Sequence, residues 1–161
     1  MKGNLTYNET VELLKLFPEI DANVKYLKAR IKDIDDQYYT QDLDTRFDGM
    51  PKKEKDLSDI TQDLAVEVPD PVASEAKRCE KRIEQYYKLK SEMLKEMSKL
   101  KFLQKNIIFD KYISGLVWEQ VAQRNHYCVR QCKNIRNAAI ETLRQRFSDN
   151  KVISSFKIDG E

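Results

Sequence analysis

The sequence predicts an all-α protein in which a long helical hairpin, or coiled arm, precedes a C-terminal pair of helices joined by a tight turn. Three observations carry this. Apolar residues recur at helical steps of three and four through most of the chain. Only 4 glycines occur in 161 residues, which leaves little material for the turns of a β-rich fold. Charged residues make up 35% of the chain and the mean hydropathy is -0.71, values that suit solvated, extended helices around one core.

Residues 1–39 supply the first helices of the arm. Leu13, Phe17, Ile20, Val24, Leu27, Ile31, Ile34 and Tyr38 follow one another in alternating steps of four and three, a heptad stripe. Pro18 interrupts it, so a short helix is expected to end near Phe17. A second then begins with Pro18 in its first turn, where a missing N–H has no partner to lose, and runs to near Tyr39.

Residues 40–70 change character and predict an acidic linker. Asp48-Gly49 and two prolines break the pattern, and Leu57, Ile60 and Leu64 give at most one or two amphipathic turns. Asp42, Asp44 and Asp48 suggest a calcium loop, but their spacing and the missing distal Glu do not fit one.

Residues 71–100 predict the long helix of the arm, opened by Asp70 as cap and Pro71 in the first turn. Its stripe is Val72, Ala76, Cys79, Ile83, Tyr86, Met93, Met97 and Leu100, with Lys90 as the break. At about 1.5 Å per residue the two stripes are long enough to pair over most of the shorter one. A stripe specifies contact but not which molecule supplies the partner, so pairing within one chain and a dimer through the arm both remain open.

Residues 101–147 predict a helix-turn-helix DNA-binding domain. Apolar spacing over residues 117–122 gives a short helix, and Asn125, His126 and Tyr127 form the turn, with Asn125 expected to take the left-handed backbone. A second helix over residues 128–147 carries Val129, Cys132, Ile135, Ala139, Ile140, Leu143 and Phe147 on one stripe. Arg130, Gln131, Asn134 and Asn137 point the other way and are the candidate base-reading residues. Arg matches the major-groove edge of guanine, and Asn or Gln that of adenine. Lys133, Arg144 and Arg124 are the candidate phosphate contacts.

Charge supports this reading. From Lys99 to Phe147 ten basic residues face three acids, a net +7, whereas the whole chain is +2, so the remainder carries −5. Such asymmetry suits a polyanion-binding end on an acidic body. Residues 148–161 show no sustained pattern and are expected to be a flexible tail.

The string Tyr112-x-x-Gly115-Leu116-x-Trp118-Glu119-x-Val121-Ala122, followed by Tyr127-x-Val129-Arg130 and Ile135-Arg136-Asn137-x-Ala139-x-x-x-Leu143, resembles region 4 of sigma-70-type RNA polymerase sigma factors. Over about 45 residues it looks most like phage late transcriptional regulators of the RinA/ArpU type. The resemblance implies a second helix that enters a promoter major groove, RNA polymerase as a further partner, and a phage or prophage origin. The chain departs from the pattern where Val117 and Cys128 replace the usual Ser or Thr caps, hydrogen bonds worth about 1 kcal/mol each.

Enzymatic chemistry finds no constellation. There is one His, no Gly-rich phosphate cradle and no Ser within a sharp Gly turn, and the carboxylates are expected on solvent-facing helix positions. His126, Cys128 and Cys132 are metal-ligand types, but Cys132 belongs to the packing stripe, so neither metal nor cofactor is expected. The three cysteines suit a reducing compartment, and with no apolar run near 18 residues the expectation is a cytoplasmic protein without membrane contact. The expected function is sequence-specific binding of double-stranded DNA in transcription regulation. The alternatives are a DNA-packaging recognition subunit of the small-terminase kind and a protein-protein adaptor.

Overall fold

The computed structural model of the chain describes residues 3–47 and 70–158; the expected linker therefore lies outside the described residues from 48 to 69. The described residues are helical and hold no strand, as composition and spacing predict. The chain divides into two compact units, one made of Met1–Asn23 with Gln85–Glu161, the other of Val24–Glu84.

Helix α1 (Tyr7–Leu16) opens on a capping box. The Thr6 hydroxyl accepts the Glu9 N–H at 3.2 Å and the Glu9 carboxylate accepts the Thr6 N–H at 2.7 Å, so two otherwise orphaned donors are satisfied. A 3-10 turn over Phe17–Glu19 accommodates Pro18, and α2 (Ile20–Phe47) follows. The break at Phe17 is as the proline predicts. The end of α2 is not: the helix runs eight residues past Tyr39, because residues 40–47 contain neither Gly nor Pro and the first breaker is Gly49.

In α3 (Asp70–Ser98) the stripe steps from Tyr86 to Leu89 and then Met93, and all three are buried. Leu89, not Lys90, is therefore the stripe position. The Lys90 ammonium turns aside to Asp21 at 2.7 Å and lies 6.0 Å from the centre of the Phe17 ring. Asp21 and Lys90 tie α2 to α3 in the first unit. In the second, Arg30 and Glu75 do so at 2.7 Å. Val24 and Cys79 are buried there, while Leu27, Ile31, Ile34, Val72, Ala76 and Ile83 are half-buried.

The first unit contains helices α4 (Phe102–Ile108), α5 (Trp118–Asn125), α6 (Val129–Asp149) and α7 (Lys151–Ser155). A π-helical turn, Phe109–Ile113, widens the end of α4, and Gly115 follows at φ 69°, a left-handed conformation open to glycine without strain. Helices α1, α4 and α7 each pack on α6. Leu14, Leu89, Met93, Met97, Ile140, Leu143, Phe147 and Ile153 are fully buried in this unit.

Two boundaries expected from sequence change as a result. The N-terminal helix belongs with the C-terminal helices and not with the arm. The expected flexible tail instead forms α7, whose cap Asn150 accepts the N–H groups of Val152 and Ile153. Burying Ile153, and setting the Phe156 ring 5.6 Å from that of Tyr86, overrides the weak local pattern of the tail. Residues 159–161 lie outside the described residues. Among the described residues no helix is long and apolar enough to cross a membrane.

Candidate nucleic-acid interface

Three buried residues, Ile107, Val121 and Cys132, one each from α4, α5 and α6, join these helices, and Leu103, Leu116, Trp118, Ala122 and Ile135 pack around them. The α6 stripe lies where its spacing puts it. Cys132, Ala139, Ile140, Leu143 and Phe147 are buried, and Val129 and Ile135 half-buried. Val117 and Cys128 occupy the two N-cap positions without a side-chain acceptor; at α5 the Gln120 side chain instead accepts the Val117 N–H at 3.3 Å.

The turn between α5 and α6 uses a different residue from the one expected. His126, at φ 59°, takes the left-handed position and Asn125 ends the helix. The physical reason is in the Asn125 side chain. Its amide donates to the Val121 carbonyl at 2.8 Å and to the Asp110 carboxylate at 3.0 Å, so it closes the last turn of α5 and fastens it to the π-helical turn. The strain falls on the next residue. Asp110 is 8% exposed and Glu96 9%, so these two carboxylates depart from the solvent-facing positions expected of the acids. Glu96 faces Lys99 and Arg146, at 3.5 and 3.8 Å.

Arg130, Gln131 and Asn134 come together, all exposed, on the first two turns of α6 away from the buried stripe, with Lys133 exposed at their flank. The remaining sequence candidates have partners inside the molecule. The Asn137 carbonyl oxygen accepts the Tyr7 hydroxyl at 3.0 Å and the Arg136 Nε–H at 2.8 Å. Arg144 donates to Glu141 at 2.9 Å and to the Leu5 carbonyl at 3.3 Å, and its guanidinium holds the Glu141 carboxyl below the usual glutamate range. Arg124 approaches Asp110 at 3.7 Å. Spacing along α6 shows the outward face but not that the N-terminal segment, at least 130 residues away in sequence, crosses part of it.

A cluster that sequence reasoning passed over surrounds Trp118. Arg136, Lys111 and Lys133 place their cationic groups 4.9, 5.0 and 5.7 Å from the centre of its ring. Arg136 is at an angle that belongs to the apolar stripe, so its stem packs while its head reaches the indole and the Tyr112 hydroxyl, 3.4 Å away.

Burial pushes the Cys132 thiol up, and the neighbouring Cys128 adds to this. Cys128 and His126 are exposed, and among the described residues no three His, Cys, Asp or Glu side chains converge as metal ligands would. Comparison of the chain with family models, curated proteins and solved structures returned no match.

Proposed function

We propose that this protein is a sequence-specific DNA-binding transcription regulator whose α6 docks in the major groove as the recognition helix of a helix-turn-helix, in the manner its likeness to sigma region 4 implies. One observation carries the reading. Arg130, Gln131, Lys133 and Asn134 form an exposed, carboxylate-free surface on the N-terminal turns of α6, while the opposite face of that helix is sunk in the core. A helix held rigidly by its apolar face presents base-reading groups from a backbone already in place, so binding has only their side chains left to order. The +7 charge of residues 99–147 supplies the attraction for phosphate that any duplex offers.

The test is a comparison of two duplexes, one selected by the full chain from a random library and one of random sequence. Arg130→Ala and Asn134→Ala should each cost about 1–3 kcal/mol on the selected duplex and little on the random one. Lys133→Ala should weaken both by a similar factor. Equal losses on both duplexes for all three variants would move the base-reading surface elsewhere, and salt-independent binding by the unaltered chain would remove the DNA reading.

A further inference from the structure

We infer that Lys111, Lys133 and Arg136, gathered around the Trp118 ring, form a clamp for a nucleic-acid backbone phosphate beside the base-reading surface; this rests on the DNA-binding reading above. The cationic groups of all three lie within 5.7 Å of one ring centre, which puts every pair within about one Debye length, ~10 Å at 0.1 M salt, of each other. Like charges this close repel, and an indole face offsets only a small part of that at an exposed site.

Six cations elsewhere among the described residues are compensated by acids. Arg30, Lys90, Lys99, Arg124, Arg144 and Arg146 each meet a carboxylate. Around Trp118 the described residues provide no carboxylate within ion-pair distance. Lys111 donates to the Leu116 carbonyl at 3.3 Å, and Arg136 to Tyr112 and Asn137, all neutral acceptors. The cluster is thus held in shape by neutral groups and left with its positive charge uncompensated, the arrangement of a preformed anion site.

A phosphodiester fits it for two reasons. Lys133 belongs both to this cluster and to the exposed surface of α6, so an anion here is continuous with whatever that surface binds. A guanidinium fork beside two ammonium groups matches the spread charge of phosphate oxygens. Trp118 is the only tryptophan in the chain, so its emission reports on the site directly.

The experiment titrates the full chain with a labelled 30-base-pair random duplex at several salt concentrations, following anisotropy and Trp118 emission together, with inorganic phosphate as the parallel arm. The expected result is an emission change that tracks duplex binding and is absent with millimolar inorganic phosphate. Lys111→Gln and Arg136→Gln should each weaken binding several-fold and lower the slope of log K against log salt by about one, whereas Arg136→Lys, which keeps the charge, should keep the slope. If the duplex binds with its slope unchanged in the Lys111→Gln, Arg136→Gln double variant, the clamp is overturned and the DNA-binding reading survives. An equal emission change with inorganic phosphate would mark a free-phosphate site instead. If the unaltered chain binds no duplex, the reading and the clamp fall together. Circular dichroism on each variant separates loss of charge from loss of fold.

Discussion

At the residue scale the turn between α5 and α6 shows how one side chain displaces a backbone preference onto its neighbour. Asn tolerates a left-handed backbone better than His does, yet His126 takes that conformation because the Asn125 amide is already bonded to Val121 and Asp110. The first bond adds to the hydrogen bonding of a carbonyl in the last turn of a helix, and the second gives a carboxylate that is 8% exposed a close donor where Arg124 stands off at 3.7 Å. Asn125→Ala should therefore destabilise the protein by about 1–3 kcal/mol, the cost of leaving a buried polar group short of a partner. His126→Gly should be tolerated or stabilising by up to about 1 kcal/mol, since glycine adopts the left-handed conformation freely. Urea denaturation of the two variants measures both, and the reverse order would return the turn to Asn125.

At the element scale the sharpest contrast is between α1 and α6. The α6 stripe repeats for five turns and is legible without any partner, whereas α1 is defined at its start by two side chains, Thr6 and Glu9. Hydrogen bonds from the Thr6 N–H and hydroxyl hold the Glu9 carboxyl below its ordinary 4.5. A depressed folded-state value means that the unfolded chain takes up the proton first as the pH falls. The stabilisation from Glu9 is thus complete above the ordinary value and is lost as the pH drops through the lowered one. Thr6→Ala should cost about 0.5–2 kcal/mol at pH 7 and raise the Glu9 titration only part of the way towards 4.5, because the backbone N–H of residue 6, the larger cause, is kept. A carboxyl-resolved NMR titration follows this; a midpoint that returns all the way to 4.5 would deny the backbone N–H its part, and one that does not move would deny the hydroxyl any.

At the scale of the whole molecule, the segment that carries the candidate interface is not the segment that folds. Residues 101–147 hold the stripe and most of the basic charge, and from sequence they read as the DNA-binding domain. In the structure α6 also packs against α1 and α7, and the unit that contains it draws Leu14, Met93, Met97 and Ile153 into full burial. Each large apolar side chain removed from such a site costs about 2–5 kcal/mol, against a total stability of about 5–15 kcal/mol for a domain. A fragment of residues 101–147 should consequently show low helicity, no cooperative thermal transition and much weaker duplex binding than the full chain. Circular dichroism and anisotropy on the fragment decide this. Full-strength binding by it would show that α1, α3 and α7 do not support the interface.

What the sequence by itself determined is everything that depends on spacing along one helix. The all-α class, the stripe of α6, the pairing stripes of α2 and α3, and the outward placing of Arg130, Gln131 and Asn134 follow from a period of 3.6 residues, which each segment carries within itself, and the helical break at Pro18 from a ring that removes a backbone donor. Tertiary structure decided which partner meets each face. Leu5 and Tyr7 reach Ser148 and Asn137 across at least 130 residues of chain, Lys90 is drawn to Asp21 on another helix, and three residues from two separate stretches assemble around Trp118. None of these leaves a local trace, because a contact between distant segments is selected by the burial and charge it satisfies once the chain has closed on itself, and no repeat in the sequence encodes it.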